Sequence, residues 1–260
     1  MKNDRIVLRL FTKQPLAEQT KAESLYKILD QWRFRPAKYN EVEPIRKDWE
    51  DREEFLQQFQ ANCNESFGTL LVKWTKPKFN AMVMWSRGPR AKSHCISLFQ
   101  AKPHDLGGER VPYLFEIADQ LFEQLDFDYG FACADAEYHA LNIYLDVQVD
   151  ERTIQPKKVV GMEWPDCIPG LYWCNYFGNA YFQQGFGAEI QKLDHVSKLS
   201  NGVRLLRSET PLDWNSDHSL KLTKNLIEQL GQDWFFSKKT GMPSKHLKTD
   251  KSLFANRLPK

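Results

Sequence analysis

Residues 169–187 read Pro-Gly-Leu-Tyr-Trp-Cys-Asn-Tyr-Phe-Gly-Asn-Ala-Tyr-Phe-Gln-Gln-Gly-Phe-Gly, with seven aromatic side chains in nineteen positions. The pairs Tyr172/Tyr176, Trp173/Phe177 and Phe177/Tyr181 stand four apart, the spacing that stacks side chains along one side of a helix. Pro169-Gly170 would start that helix and Gly178 would interrupt it. Fully buried, each such ring is worth on the order of 2–3 kcal/mol, so core filling against a sheet is expected for most of the seven. A cage for a small molecule is the competing reading. It needs converging polar groups, and the stretch offers Asn175, Asn179 and two glutamines.

On the C-terminal side, His195–Leu199 and Val203–Ser208 flank Ser200-Asn201-Gly202, a hairpin signal in which Asn-Gly would supply positive backbone angles. A helix is expected from Ser216 to Leu230, lined by Leu222, Leu226, Ile227 and Leu230, capped by Ser216 and closed by Gly231. Toward the N-terminus, Ile6–Phe11 reads as a strand. Two helices follow, from about Leu16 with Leu25, Ile28, Leu29 and Trp32 on one face, and from about Asp48 to Cys63 with Phe55, Leu56 and Phe59 inward. Residues 67–75, 79–86 and 94–101 are rich in branched and aromatic side chains and separated by turn-like KPK and RGPRAK, so they predict an antiparallel meander. Pro112–Asp126 carries the clearest helical stripe, with Gly107-Gly108 before it read as a turn, and Tyr129–Cys133 is a short strand. The fold class predicted is α+β, a central, largely antiparallel sheet flanked by helices. Residues 1–236 would form one domain, with an internal boundary near 150–165, and 237–260, with seven basic residues against one acid, a loosely held tail.

At 260 residues the chain can bury a core without disulfides or metals. Its five cysteines are widely spaced with no CxxC, which predicts reduced thiols. The apolar run near the N-terminus is broken by Arg9 and no later stretch approaches a membrane span, so a cytoplasmic protein is expected. The net charge of +2 conceals a division: residues 111–151 hold ten acids and no Lys or Arg. That segment is −10 and the remainder +12, which suggests an acidic face for a basic partner. The bland alternative is a solvated helix face and loops whose charges are answered by lysines folded nearby.

The chain holds no GxGxxG, no GxxxxGK[ST], no GxSxG and no HExxH, so common nucleotide-binding and hydrolase readings lose ground. The nearest metal constellation is Asp135-Ala-Glu137-Tyr-His139, where helical geometry puts Asp135 and His139 one turn apart. Two ligands do not make a site, and a capping Asp beside a surface His is the simpler reading. Arg33-Phe-Arg35, Arg87-Gly-Pro-Arg90 and the lysine-rich tail are candidates for phosphate contact but sit on no recognisable reading element. No catalytic residue, metal or cofactor is expected.

Ile168-Pro-Gly-Leu-Tyr-Trp-Cys-Asn-Tyr-Phe-Gly178, with the later Asn201-Gly-Val-Arg-Leu-Leu-Arg207 and Pro211-Leu-Asp-Trp214, resembles the C-terminal half of the immunity protein 52 family and related type VI secretion immunity proteins. The matching positions are Gly170, Trp173, Asn175, Gly178 and Gly202, and the likeness spans about residues 165–235. It implies a non-catalytic bacterial antitoxin that binds a cognate polymorphic or type VI toxin, often a nuclease. Within that family these positions look like fold determinants: Gly170 and Gly178 for turns, Trp173 for the core, Asn175 for a buried hydrogen bond. An acidic segment would suit a basic, nucleic-acid-cleaving toxin. The contact surface is then expected around Asp126, Asp128, Asp135 and Glu137, with Tyr129 and Tyr138 as exposed aromatic anchors and with no membrane or direct nucleic-acid contact. The rival readings are a metal-dependent hydrolase using Asp135, Glu137 and His139, and a nucleic-acid-associated protein using the basic tail.

Overall fold

The computed structural model describes residues 5–12, 16, 18–61, 67–76, 78–86, 94–101, 103–144, 158–159, 168–182, 185–237 and 242–243. In chain order the elements are β1 (Ile6–Thr12), α1 (Gln19–Gln31), β2 (Lys38–Asn40), β3 (Lys47–Asp48), α2 (Arg52–Ala61), β4 (Phe67–Lys73), β5 (Asn80–Ser86), β6 (His94–Ala101) and α3 (Pro103–Gln124). Then come β7 (Tyr129–Ala134), α4 (Asp135–Asn142), β8 (Ile143–Tyr144), β9 (Lys158–Val159), β10 (Cys174–Gly178), α5 (Asn179–Phe182) and α6 (Phe186–Ile190). The last are β11 (Val196–Leu199), β12 (Gly202–Leu206), α7 (Asp217–Leu230), β13 (Phe236–Ser237) and β14 (Met242–Pro243).

Ten strands form one sheet in the order β11-β12-β10-β7-β1-β6-β5-β4-β2-β3, with every neighbouring pair antiparallel. The meander of 67–101 is there as β4-β5-β6, and the α+β class holds. Each strand alternates its side chains between two faces. On one face Ile6, Leu8, Leu10, Val72, Val83, Ala132 and Tyr176 pack under α1, α2 and α3, through Leu25, Leu29, Phe55, Phe59, Ile117, Leu121 and Phe122. On the other, Phe11, Tyr129, Phe131, Phe177, Val203 and Leu205 pack under α4 to α7, through Tyr138, Tyr181, Phe186, Ile190, Leu226 and Leu230. Most of the expected boundary at 150–165 lies outside the described residues; strands from both sides of it, β7 and β10, pair directly. The basic tail lies almost wholly outside them too.

The aromatic stretch is not a helix through its rings. Cys174–Gly178 is a strand near the middle of the sheet, paired to β7 on one side and β12 on the other. Its alternation sends Cys174 and Tyr176 to the α3 face and Phe177 to the α7 face. A one-turn helix, Asn179–Phe182, follows Gly178. The core-filling expectation is met, because Tyr172, Trp173, Tyr176, Phe177, Tyr181 and Phe186 are all buried. The i,i+4 spacing misled because a five-residue strand with neighbours on both sides satisfies all its backbone groups, and two-faced burial needs no polar alternation.

Three further expectations are corrected. Helix α3 begins at Pro103, so Gly107-Gly108 lies inside a helix and not in a turn. Among the described residues the positive-φ glycines are Gly185 and Gly231, so Asn201-Gly202 turns without positive angles. The turn is held from outside: Ser200 N donates to Glu123 Oε1 (2.6 Å) and Asn201 Nδ2 to the Phe122 carbonyl (2.9 Å). Neither Gly170 nor Gly178 has the positive φ of a turn glycine; at Gly178 a Cβ would stand 2.8 Å from the Phe127 carbonyl oxygen. The α7 signals hold, with Ser216 Oγ accepting from Ser219 N (3.1 Å) and Gly231 at φ 96.

Gly202 is required by close approach. A Cβ there would run into the Phe177 carbonyl oxygen and stand 2.9 Å from Gly178 Cα across the β10/β12 pair. Gly202→Ala is expected to destabilise the protein by about 1–3 kcal/mol through overpacking, read as a lower urea midpoint.

Candidate interaction surface

Arg204 in strand β12 and Arg207 just past its end stand three residues apart and reach opposite faces of the sheet. Arg204 reaches α3, where it pairs with Asp119 and lies 4.7 Å over the Phe115 ring. Tyr176 donates its hydroxyl to the same carboxylate (2.9 Å). Burial raises the Asp119 pKa, and Arg204 with Tyr176 opposes the rise.

On the other face Arg207 meets Glu137 of α4. Arg207 Nη1 donates to Glu137 Oε1 at 2.6 Å and to the Leu171 carbonyl at 3.3 Å. Trp173 N donates to Glu137 Oε2 (3.4 Å), and Arg207 N to the Trp173 carbonyl (2.8 Å). Both side chains are inside, Arg207 at 3% and Glu137 at 1% exposure. Desolvation pushes the Glu137 carboxyl up to about 7, against the pull of Arg207.

Around this pair the aromatic segment is tied down by polar contacts. Asn175 is fully buried and makes two bonds to Tyr172, accepting from its N (3.0 Å) and donating to its carbonyl (2.9 Å). Tyr172 donates its hydroxyl to Asn142 Oδ1 (2.8 Å) and stacks on Phe131 with ring centroids 4.0 Å apart. Trp173 is fully buried, and its indole donates to the Ser208 carbonyl (2.8 Å). Trp173 thus lies in the core and Asn175 makes its hydrogen bonds inside it.

The expected contact surface does not assemble. Glu137 is inside with Arg207, Asp128 is 6% exposed, Tyr129 is fully buried against Phe11 and Phe177, and Tyr138 is 7% exposed. Tyr138 stacks on Phe131, with Arg9 4.4 Å over its ring and donating to its hydroxyl (2.8 Å). Tyr129 and Tyr138 are core residues, not exposed anchors. Asp126 remains partly exposed in a left-handed turn (φ 56), and Asp135 pairs with His139 at 3.6 Å. Of the ten acids in 111–151, Asp146, Asp150 and Glu151 lie outside the described residues. Asp119 and Glu137 are answered by Arg204 of β12 and by Arg207 just past it, and not by the lysines that the bland alternative expected. With Asp128 and Glu137 buried, the four acids expected at the contact do not share one exposed face.

The trio Asp135, Glu137 and His139 does not converge either. Asp135 and His139 meet on the exposed side of α4, while Glu137 turns inward to Arg207. Among the described residues no group of three or more His, Cys, Asp or Glu stands close enough to hold a metal ion. Arg33 lies 4.0 Å over the Tyr113 ring, while Arg87 and Arg90 lie outside the described residues. Among the described residues no helix is long and apolar enough to cross a membrane. The sequence reading missed Arg204 and Arg207; their signal was two cations flanking Leu205-Leu206 in a strand with covered faces, where a charge needs a partner.

No protein-family model matches the chain, and no curated protein matches it. Among solved structures its fold is similar to that of the Pseudomonas aeruginosa T6SS protein PA0821, with a TM-score of 0.58 and 13% sequence identity. The match covers 96% of this chain and 81% of that one. At that identity the likeness is one of fold.

Proposed function

We propose that this protein is a non-catalytic antitoxin of a type VI secretion system, which binds a cognate toxin and neutralises it. The observation that carries the reading is the whole-chain likeness in fold to a T6SS protein, 96% of this chain being covered. The motif positions Gly170, Trp173, Asn175, Gly178 and Gly202, which resemble the immunity protein 52 family, add support from an independent direction. The buried charge pairs fit the same reading. Buried Glu137 holds α4 to Arg207 just past β12 and part-buried Asp119 holds α3 to Arg204 of β12, so neither acid is free for a reaction. The family resemblance implies a toxin that is often a nuclease, but the four acids expected to meet a basic nuclease do not share one exposed face, and the antitoxin reading extends to a toxin of unassigned chemistry.

The test is growth. The toxin-like reading frame adjoining this gene is expressed in a sensitive bacterium, with and without this protein. Growth restored by this protein, with the two copurifying as a complex, is the expected result. Arrest that persists in its presence, or the lack of any such neighbouring reading frame, overturns the reading.

A further inference from the structure

Among the described residues, helices cover the α4–α7 face of the sheet for half its width. Strand register places Asn40, Leu71, Met82, Ser97, Arg9, Phe131, Asn175 and Leu205 in one row across eight strands of that face. From Phe131 onward the row is buried beneath α4 to α7. Over β4 and β5 no described helix sits on it; Thr69, Leu71 and Met82 are partly exposed, while Met84, also partly exposed, packs against the edge of the α4–α7 core. Their chain neighbours Leu70, Val72 and Val83, pointing the other way, are fully buried under α1 and α2.

An antiparallel sheet with one solvated face alternates apolar and polar residues. Leu70-Leu71-Val72 and Ala81-Met82-Val83-Met84 do not alternate. They read as strands covered on both sides, while the described residues cover one. Met82 and Met84 are unbranched and polarisable, the side chain type that adapts to a partner's shape.

The rim supplies the charge. Lys38 and Lys73 are direct cross-strand partners, an arrangement of like charges that costs stability. The turn after β4 adds exposed Lys76 and Lys78, and residues 73–78 contain no acid. Asp48 answers Lys38 at 3.3 Å. Three lysines of one hairpin end are thus left to face an anionic neighbour.

We propose that this half of the sheet face, which no described helix covers, with Thr69, Leu71 and Met82 at its centre and Lys73, Lys76 and Lys78 at its rim, is the surface that docks the toxin, through apolar side chains ringed by carboxylates. The inference rests on the antitoxin reading above and reverses the charge first expected of the partner.

Two variants test it against the toxin used in the growth assay, with affinity read by calorimetry. Leu71→Arg with Met82→Arg places two cations in the apolar centre and is expected to weaken binding about 100-fold. Lys73→Glu, Lys76→Glu and Lys78→Glu together should weaken it about 10-fold and flatten its salt dependence, mainly through slower association. Both variants should melt at the wild-type temperature. A fall in melting temperature of the Leu71/Met82 variant would mean that the chain itself covers these residues, and would overturn the inference. So would wild-type affinity in both variants, which leaves the antitoxin reading standing, or loss of self-association in place of toxin binding, which would make the occupant a second copy. A toxin that arrests growth regardless of this protein removes the antitoxin reading, and this inference with it.

Discussion

Arg207→Ala is expected to destabilise the protein by about 3–5 kcal/mol at pH 8, the effect of stranding one partner of a buried ion pair. Glu137, at 1% exposure, would keep its Trp173 N–H contact and lose its counter-charge. The pH dependence separates this from a simple packing loss. In the wild-type protein burial raises the Glu137 pKa to about 7 from an ordinary carboxyl value of 4.5. Between those values the folded state binds more protons than the unfolded chain, so Glu137's contribution to stability is complete below pH 4.5 and is lost as pH rises through 7. Removing Arg207, which opposes that rise, moves the value higher. The variant's deficit should therefore be largest above pH 7 and shrink toward pH 5, where a neutral Glu137 needs no cation. Urea titrations at several pH values read this directly, and a deficit that does not change with pH would contradict the assigned pair. Glu137→Gln should remove the decline between pH 4.5 and 7 altogether. Among the described residues Arg207 Nε and Nη2 have no hydrogen-bond partner, so the pair is incompletely satisfied. Replacing both residues with methionine is then expected to cost far less than Arg207→Ala, since well-packed apolar substitutes for buried pairs are often neutral or stabilising.

Trp173→Ala is the second large effect, expected at about 3–5 kcal/mol. The indole is fully buried, lies 5.1 Å from the Phe115 ring, and donates to the Ser208 carbonyl. Its backbone N–H and carbonyl hold Glu137 and Arg207, so the cavity would open beside the ion pair. Trp173→Phe should recover part of the packing and leave the Ser208 carbonyl without its indole donor. Thermal unfolding of the two variants, with near-ultraviolet dichroism as the packing probe, gives the comparison. Equal melting temperatures for Trp173→Ala and the wild type would remove this residue from the core.

Local chemistry was legible wherever one element decides its own shape. The stripe Leu114-Ile117-Ala118-Leu121-Phe122 has one solution, and its residues are all buried on one side of α3. Ser216 and Gly231 cap α7 as capping chemistry requires. The branched and aromatic runs of 67–101 pair as a meander. The fully buried Trp173 and Asn175 could be read because a large indole and a lone amide in an apolar segment each have few stable placements.

What misread was anything whose state depends on a neighbour distant in sequence. Gly107-Gly108 and Pro112 are breaking signals, yet α3 runs through them, because packing on the sheet outweighs propensities of about 1–3 kcal/mol each. The acidic segment looked like one surface because composition counts charges without directions. Half a helical turn separates partly exposed Asp135 from buried Glu137, and Arg204 of β12 and Arg207 just past it supply a cation to each side of the sheet. Tyr129 and Tyr138 became core residues for the same reason.

The sequence by itself determined the α+β class, the positions of the long helices, the antiparallel meander and the buried fate of the aromatic stretch, since each follows from burial of apolar surface at a local period. Tertiary structure alone decided that Cys174–Gly178 is a central strand, that Gly202 must lack a Cβ, that Glu137 and Arg207 share the interior, and that Leu71 and Met82 face outward on the half-covered sheet. Those outcomes turn on which strands lie side by side, and pairing between segments tens of residues apart has no period to read.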